Sequence, residues 1–181
     1  MEKPRFAWKT MPVFVLLVVV GTATRVAFES IPNFAPVAAI ALFAGFYFRS
    51  VGLAMSVPFL IMIASDWWID RGGYAWPLMV TVYAALAFPV LLRGVLRRNL
   101  FGDGSQSRSV LTSSVTLFSC SLGSSLLFFF VTNFTAWWVM EFYEKSLSGL
   151  VHAYVRGLPF FRYTLTADLL FSAVLFGTFA L

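Results

Sequence analysis

The residue with the most unusual position in this chain is Asp168, which lies inside an apolar stretch that begins at Phe160. If the stretch is a helix, Asp168 lies about 12 Å along it. An aspartate inside a membrane helix costs about 2.5 to 3.5 kcal/mol on insertion scales, so something must offset that cost. Intramembrane carboxylates commonly pair with cations or mark a ligand pathway. The position therefore indicates a functional group.

Asp168 belongs to a polar stripe on one helix face. Thr164, Asp168 and Ser172 follow each other at intervals of four residues, which places them on the same side of a helix. We expect this side to face the other helices, and the predicted cationic partners of Asp168 are Arg25 and Arg162. A hydrogen-bonding seam between helices is the structural alternative.

Further polar and aromatic residues lie on one side of the predicted bundle, in or beside the connections that follow the first, third and fifth apolar stretches. A few polar groups among aromatic side chains are typical of small-molecule sites. An interfacial aromatic belt is the alternative for most rings, although one of the adjacent Trp67 and Trp68 is expected to turn towards the bundle. The predicted substrate-binding residues are Arg25, Asn33, Asp66, Trp67, Asn133, Trp137, Arg162 and Asp168.

The chain offers little for catalysis or metal binding. His152 and Cys120 are its single histidine and single cysteine, and neither belongs to an H-E-x-x-H or paired-cysteine motif. No G-x-S-x-G nucleophile motif and no G-x-x-x-x-G-K phosphate loop occurs. Asp66 and Asp168 fit salt bridges or ligand binding better than an acid/base pair. We predict no catalytic residue, no metal and no cofactor, and an enzyme ranks third among the functions considered.

The elements that must position these residues are membrane helices. Of the 181 residues, 60% are hydrophobic and 12% are charged, a composition too apolar for a water-soluble domain of this size. The net charge of +5 comes from basic residues between the apolar stretches, which indicates membrane topology and not nucleic-acid binding. We therefore predict an all-α protein with a single transmembrane domain, residues 1–181, in a lipid bilayer.

Six apolar stretches predict six transmembrane helices, at residues 11–28, 35–48, 51–65, 76–92, 110–134 and 160–181. The second and third are shorter than the roughly 20 residues that a spanning helix needs. Either they form a tilted hairpin with a tight bend at Arg49 and Ser50, or one of them is partly re-entrant. Residues 93–109 are predicted to be a hydrophilic, flexible linker.

The basic residues predict the orientation of the helices. With the amino terminus inside, eight of the 13 lysines and arginines lie on the cytoplasmic side and five lie outside. The positive-inside rule then places both termini in the cytoplasm of a multi-pass protein of the inner (plasma) membrane.

Residues 135–158 are predicted to form the last outer loop, which contains a short amphipathic helix from Ser146 to Arg156. Gly157 is expected to end this helix before the sixth transmembrane helix starts at Phe160. Such a helix would lie flat at the membrane interface, either on the lipid headgroups or as a lid over the site.

The chain resembles a family of uncharacterised bacterial transport proteins, related to the substrate-binding S components of energy-coupling-factor (ECF) transporters. Four segments carry the resemblance in this order and spacing: NFAPVAAIALFAGFYF, VPFLIMIASDWW, FFFVTNFTAWW and GLPFFRYTLTADLLFSAVLFG. It implies six helices, both termini inside, and a vitamin or other micronutrient bound near the outer face under the loops after helices one, three and five.

The resemblance also implies partners, namely a transmembrane coupling subunit and ATPase subunits. S components contact the coupling subunit through an Ala-x-x-x-Ala pair in helix one. Small-residue pairs with this spacing include Ala35/Ala39 and Ala41/Gly45 in helix two.

Two functional hypotheses result. The first is a substrate-binding membrane component of a small-molecule uptake transporter. The second is a structural or assembly membrane protein without a transported ligand, in which the polar residues only lock helices together.

Overall fold

A computed structural model describes residues 7–69, 75–100 and 109–180, with only the helical backbone for residues 7–9. All regular structure in these ranges is helical. A 3-10 segment, Phe88–Leu92, joins the fourth and fifth helices. The helices are α1 (Ala7–Ala27), α2 (Val37–Tyr47), α3 (Val51–Ile69), α4 (Trp76–Ala87), α5 (Arg93–Leu100), α6 (Val110–Val139) and α7 (Leu147–Ala180).

The prediction of an all-α, multi-pass membrane protein is confirmed at the level of helix length and composition. Within the described residues, five helical stretches are long and apolar enough to cross a membrane, with α4, the 3-10 segment and α5 counted as one. The exception is α2, whose 11 residues measure about 16 Å against a hydrocarbon core of about 30 Å. The six-span prediction is therefore not confirmed.

The short helix α2 is the centre of the molecule. Every residue from Val37 to Phe46 is buried, and α2 touches each of the other described elements. A helix that is apolar on all sides must be buried on all sides. Gly45 lets the backbone of α2 approach the backbone of Val90, because a Cβ there would lie 2.6 Å from the Val90 carbonyl oxygen. The predicted tight bend is confirmed, since Arg49 and Ser50 lie between α2 and α3.

The first half of α1 and the last part of α7 reach the same end of the bundle. Phe14 near the start of α1 packs on Phe48 just after α2, with ring centroids 6.1 Å apart. Phe176 near the end of α7 packs on Phe46 at 5.3 Å. We call this end the basic end, because it carries Arg49, Arg93, Arg97 and Arg98. The opposite end, where α1 ends and α2 begins, is the site end.

Arg97 closes the basic end. Its guanidinium donates hydrogen bonds to the carbonyl oxygens of Gly45 (3.2 Å), Phe46 (2.9 Å) and Phe48 (2.6 Å). The last carbonyls of a helix have no partner within the helix, so a cation that binds them stabilises the buried end of α2. The predicted linker of residues 93–109 is therefore wrong in its first half, which forms α5, while residues 101–108 lie outside the described residues.

The predicted interfacial helix is also wrong as a separate element. The chain is helical without interruption from Leu147 to Ala180, with Pro159 inside, so the expected amphipathic helix is the first part of α7. Gly157 does not end it. Gly149, Ala153 and Gly157 are buried at intervals of four residues, and such small residues let two membrane helices approach closely. The glycine at 157 serves this approach, because a Cβ there would collide with the side chain of Asn133 on α6.

The connection between α6 and α7 is consequently short. Helix α6 continues to Val139, so residues 135–139 are helical and not part of a loop. Trp137 donates from its indole nitrogen to the Glu144 carbonyl (2.8 Å), and Lys145 donates to the Met140 carbonyl (2.9 Å). The predicted lid is thus replaced by a tight, hydrogen-bonded turn between two long antiparallel helices.

Candidate functional site

A cavity of about 420 Å³, which we call the main cavity, lies in the site end among α1, α3, α4, α6 and α7. A smaller space of about 70 Å³, the inner lobe, adjoins it on the side of Asp168. The two spaces are lined in common by Arg25, Asn33, Met62, Val82, Phe128 and Thr164. Polar groups from five helices and one irregular segment therefore surround one continuous site.

One wall of the main cavity carries an ion pair that links α1 to α3. Arg25 donates to Asp66 at 2.6 Å and also to the Ser65 hydroxyl. Tyr83 on α4 donates its phenolic hydroxyl to the other carboxylate oxygen of Asp66, again at 2.6 Å. Because both oxygens of Asp66 have short, charge-assisted bonds, this wall is held in one arrangement by three helices.

Asp168 occupies the inner lobe and is almost completely buried, with 2% of its surface exposed. The hydroxyl of Ser125 donates to one of its carboxylate oxygens at 2.6 Å. Among the described residues the only salt bridge is that of Arg25 with Asp66, so Asp168 has no basic side chain within ion-pair distance. The expected polar stripe does face the bundle, because Thr164 and Ser172 are buried as well.

The segment between α1 and α2, residues 28–36, has no regular helix. Asn33 adopts a left-handed backbone conformation (φ 60°) and lines both the main cavity and the inner lobe. Irregular backbone inside a membrane protein is tolerated where it is buried in protein or lines a polar cavity. Phe34 anchors the segment through ring contacts with Phe28 at 5.3 Å and Phe171 at 6.0 Å.

Helix α6 contributes an aromatic and amide wall. Phe128 and Phe129 are buried and line the main cavity, and Phe161 of α7 packs on Phe129 with ring centroids 5.0 Å apart. Asn133 donates to the Phe129 carbonyl at 2.8 Å and lies against Gly157. Asn133 also lines the main cavity.

The structure brings together five of the eight predicted site residues: Arg25, Asn33, Asp66, Asn133 and Asp168. It does not bring the other three to the cavity. Arg162 is exposed on the outer side of α7 and lies over the ring of Tyr163, 4.8 Å from its centroid. The predicted pairing of Asp168 with Arg162 is therefore wrong, and so is its pairing with Arg25, which binds Asp66 instead.

The two predicted tryptophan contacts also lie elsewhere. Trp67 is 89% exposed and Trp68 is 75% exposed, so neither of the adjacent rings turns towards the bundle as expected. Asp66 and Ser65, which come one and two positions before Trp67 on α3, face the bundle instead. Trp137 packs on Phe134 near the end of α6 and is not part of the cavity lining.

Sequence reasoning missed four residues that shape the site: Tyr83, Ser125, Phe128 and Phe129. A lone phenol in the apolar stretch of α4 was a usable signal for Tyr83, because a buried tyrosine hydroxyl needs a partner. Ser125 is one of several serines in the apolar stretch of α6, where small residues usually serve helix packing. Which serine meets Asp168 depends on how α6 and α7 are aligned, and no sequence pattern gives that alignment.

A larger crevice of about 700 Å³ lies at the basic end between α6 and α7 and differs in chemistry. Its described lining is mainly apolar, with hydroxyls from Ser113, Ser114, Ser121 and Ser172 but no charged side chain. The described lining of this crevice therefore offers hydrogen bonds but no charge to a solute. No group of three or more potential metal ligands of the His, Cys, Asp and Glu types occurs among the described residues.

The chain belongs to DUF6580, a family of unknown function, and the match covers residues 6–181. No curated protein and no solved structure matches the chain. The site itself must therefore carry the functional argument.

Proposed function

We propose that this DUF6580 member is the substrate-binding membrane component of a small-molecule uptake transporter, with a vitamin-like or other micronutrient ligand in the main cavity. The observation that carries the proposal is the cavity at the site end, which has a fixed ion pair in its wall and a buried carboxylate at its inner end. A purely structural protein has no need for such a space, because close packing would stabilise it better.

The dimensions and lining of the cavity support this function. Small-molecule sites usually measure about 300–1,000 Å³ and combine apolar walls with a few polar groups. The main cavity, at about 420 Å³, falls in that range. Its apolar walls come from residues such as Phe128 and Met62, and its polar groups include Asn33, Asn133 and Thr132.

We propose that the site end faces the outside of the inner (plasma) membrane and that both termini are cytoplasmic. Support comes from the four arginines of the basic end, since cytoplasmic ends of membrane helices are rich in Lys and Arg. The contacts of Phe14 and Phe176 with the region around Phe46 and Phe48 support a common side for the two termini. Of the basic residues counted for the orientation, Lys3, Arg5, Arg71 and Arg108 lie outside the described residues.

The relationship to ECF S components belongs to the same proposal. The chain has no phosphate-binding loop of its own, so ATP-driven uptake would require ATPase subunits and a coupling subunit as partners. The small-residue pairs Ala35/Ala39 and Ala41/Gly45 offer no surface for such a partner, because α2 is buried inside the bundle. A coupling subunit would have to bind through another helix.

A thermal-shift screen tests the proposal with the purified full-length chain in detergent and a set of vitamins and nucleobases. A ligand that binds only the folded state at 100 times its dissociation constant adds about 2.7 kcal/mol to the free energy of unfolding. We expect at least one compound to raise the melting temperature in a saturable way. No saturable compound, together with normal folding, would instead favour a structural or assembly protein.

Two variants locate the binding that the screen finds. Asn133→Ala removes an amide from the cavity wall and should weaken binding by about tenfold, the equivalent of roughly 1.4 kcal/mol. Trp67→Ala is the matched control, because this ring is exposed at the same end of the molecule but lies outside the cavity. If both variants bind the compound with the same affinity, the compound does not bind in the main cavity.

A further inference from the structure

We infer that the ligand is a cation and that its positive group lies beside Asp168 in the inner lobe. This inference rests on the proposed function and adds the chemical class of the substrate. It follows from the charges, the burial and the shape of the site.

The side chains that line the main cavity and the inner lobe include more acidic than basic residues. Among the described residues that line the two spaces, one is basic, Arg25, and three are acidic, Glu29, Asp66 and Asp168. Arg25 is already bound to Asp66. Even with Glu29 left aside, the carboxylate of Asp168 has no positive side chain to balance it within the described residues.

Burial makes this imbalance matter. Asp168 is 2% exposed, and an ionised carboxylate in such a place is costly unless it is paired and hydrogen-bonded. The Ser125 hydroxyl supplies one hydrogen bond and no charge. A cation that enters the inner lobe would supply the missing charge, and the interaction would be strong because Asp168 is buried.

The shape of the site suits a ligand with a small cationic head. The inner lobe, at about 70 Å³, has room for an ammonium or guanidinium group, and the main cavity, at about 420 Å³, has room for a larger body. Rings of Phe28, Phe34 and Phe128 line the inner lobe. Aromatic rings attract cations through the negative charge of their faces, so they favour the same class of ligand.

The competing class is an anion bound by Arg25. Such a ligand would meet a guanidinium whose charge is already neutralised by Asp66, because Nη1 of Arg25 lies 2.6 Å from that carboxylate. It would also lie in the same site as the carboxylates of Asp66 and Asp168, which repel a negative charge. The electrostatics of the cavity therefore oppose an anion and favour a cation.

The first experiment uses the wild-type chain alone. Matched compounds built on phenyl, indole and pyrimidine rings carry an aminoethyl, a hydroxyethyl or a carboxymethyl group, and binding is measured by thermal shift and titration calorimetry alongside the vitamin screen. We expect saturable binding among the aminoethyl compounds, at least tenfold tighter than by their neutral and anionic analogues. Equal or tighter binding by the neutral or anionic analogues would overturn the inference and leave the proposed function intact.

The second experiment changes the carboxylate. Asp168→Asn keeps the shape of the side chain and removes its charge, and we expect the preference for the aminoethyl compound over the hydroxyethyl compound to disappear. Glu141→Gln is the matched control, because this carboxylate is exposed in the turn between α6 and α7. An unchanged preference in a folded Asp168→Asn protein would overturn the inference. If that variant does not fold, the wild-type comparison still decides.

Three further outcomes are distinguishable. Stabilisation by NaCl but not by choline chloride, together with no preference for amines, would make Asp168 a site for a monoatomic cation and overturn the inference. A neutral or anionic vitamin as the only ligand would also overturn it while supporting the proposed function. The absence of any saturable ligand in both screens would overturn the inference and the proposed function together.

Discussion

The two ends of α2 use arginine in opposite ways. At the basic end, Arg97 directs its guanidinium to three backbone carbonyls, and Phe48 and Leu96 beside it are completely buried. At the site end, Arg25 is bound to the carboxylate of Asp66 in the wall of a cavity. The carboxyl-terminal end of α2 is therefore capped by Arg97 and buried. Its amino-terminal end follows an irregular segment and lies beside the cavity.

The difference separates an arginine that stabilises buried backbone from one that lies in the wall of a cavity. A guanidinium that satisfies buried carbonyls cannot be released without leaving polar groups unpaired. The guanidinium of Arg25 instead binds a carboxylate that Tyr83 shares, and both residues line the main cavity. We therefore expect changes at the basic end to affect stability most, and changes at the site end to affect binding most.

The largest effect is expected for Arg97→Met, which removes the cation that caps α2. Several carbonyls at a buried helix end would lose their partners, which should lower the free energy of unfolding by roughly 2–4 kcal/mol. Arg98→Met is the control, because Arg98 is the exposed neighbour on the same helix. Denaturant titration in detergent micelles measures both. Similar stabilities of the two variants would contradict a stabilising role of Arg97 at the buried end of α2.

The next effect concerns the backbone contact between α2 and the 3-10 segment. Gly45→Ala would place a Cβ against backbone atoms of Val90, which cannot move aside as a flexible side chain can, and should cost roughly 1–3 kcal/mol. Gly94→Ala meets no atom within 4 Å and should be neutral or stabilise α5 by up to about 1 kcal/mol. Gly45→Ala should therefore lower the melting temperature, whereas Gly94→Ala should leave it unchanged or raise it, and equal shifts would argue against the close approach.

A smaller change in stability, with a change in binding, is expected for Gly157→Ala. The new Cβ would displace the Asn133 side chain, which lines the main cavity, at a cost of roughly 1–2 kcal/mol. Gly177→Ala, on the same helix with no atom within 4 Å, is the control. Calorimetric titration with the compound found by screening should show weaker binding only for Gly157→Ala. Unchanged affinity in that variant would mean that Asn133 does not contact the ligand.

The smallest effect is expected for Tyr83→Phe. Asp66 would lose one hydrogen bond and keep Arg25, so the free energy of unfolding should fall by about 1 kcal/mol. Tyr163→Phe provides the comparison, because that hydroxyl bonds only to exposed Arg162 among its described contacts. Loss of stability as large as for Arg97→Met would mean that the site end is as rigid as the basic end.

Periodic patterns in the sequence predicted the parts of the molecule that depend on one helix at a time. The spacing of Thr164, Asp168 and Ser172 correctly predicts their inward face, because a helix brings residues four apart to the same side. The apolar stretches correctly predict most helices for the same reason. The stretch at residues 35–48 is one of the six predicted spans, although both it and the stretch at residues 51–65 are shorter than a spanning helix needs, and only α3 reaches that length in the structure.

The features that depend on how helices meet could not be predicted. Gly157 followed by Pro159 usually indicates a helix end, yet here the glycine serves close packing of α7 on α6. The partner of Arg25 is Asp66 and not Asp168, a choice that the alignment of α1 with α3 decides. Sequence spacing within one helix contains no information about that alignment.

The central claim, a ligand site in the main cavity, is tested most directly by protection of introduced cysteines from a water-soluble maleimide. In a Cys120→Ser background, Thr132→Cys reports on the main cavity and Ser114→Cys on the apolar crevice at the basic end. We predict that the compound found by screening slows alkylation of Thr132→Cys in a saturable way and leaves Ser114→Cys unchanged. Equal rates at position 132 with and without the compound, or protection at position 114 alone, would contradict the account.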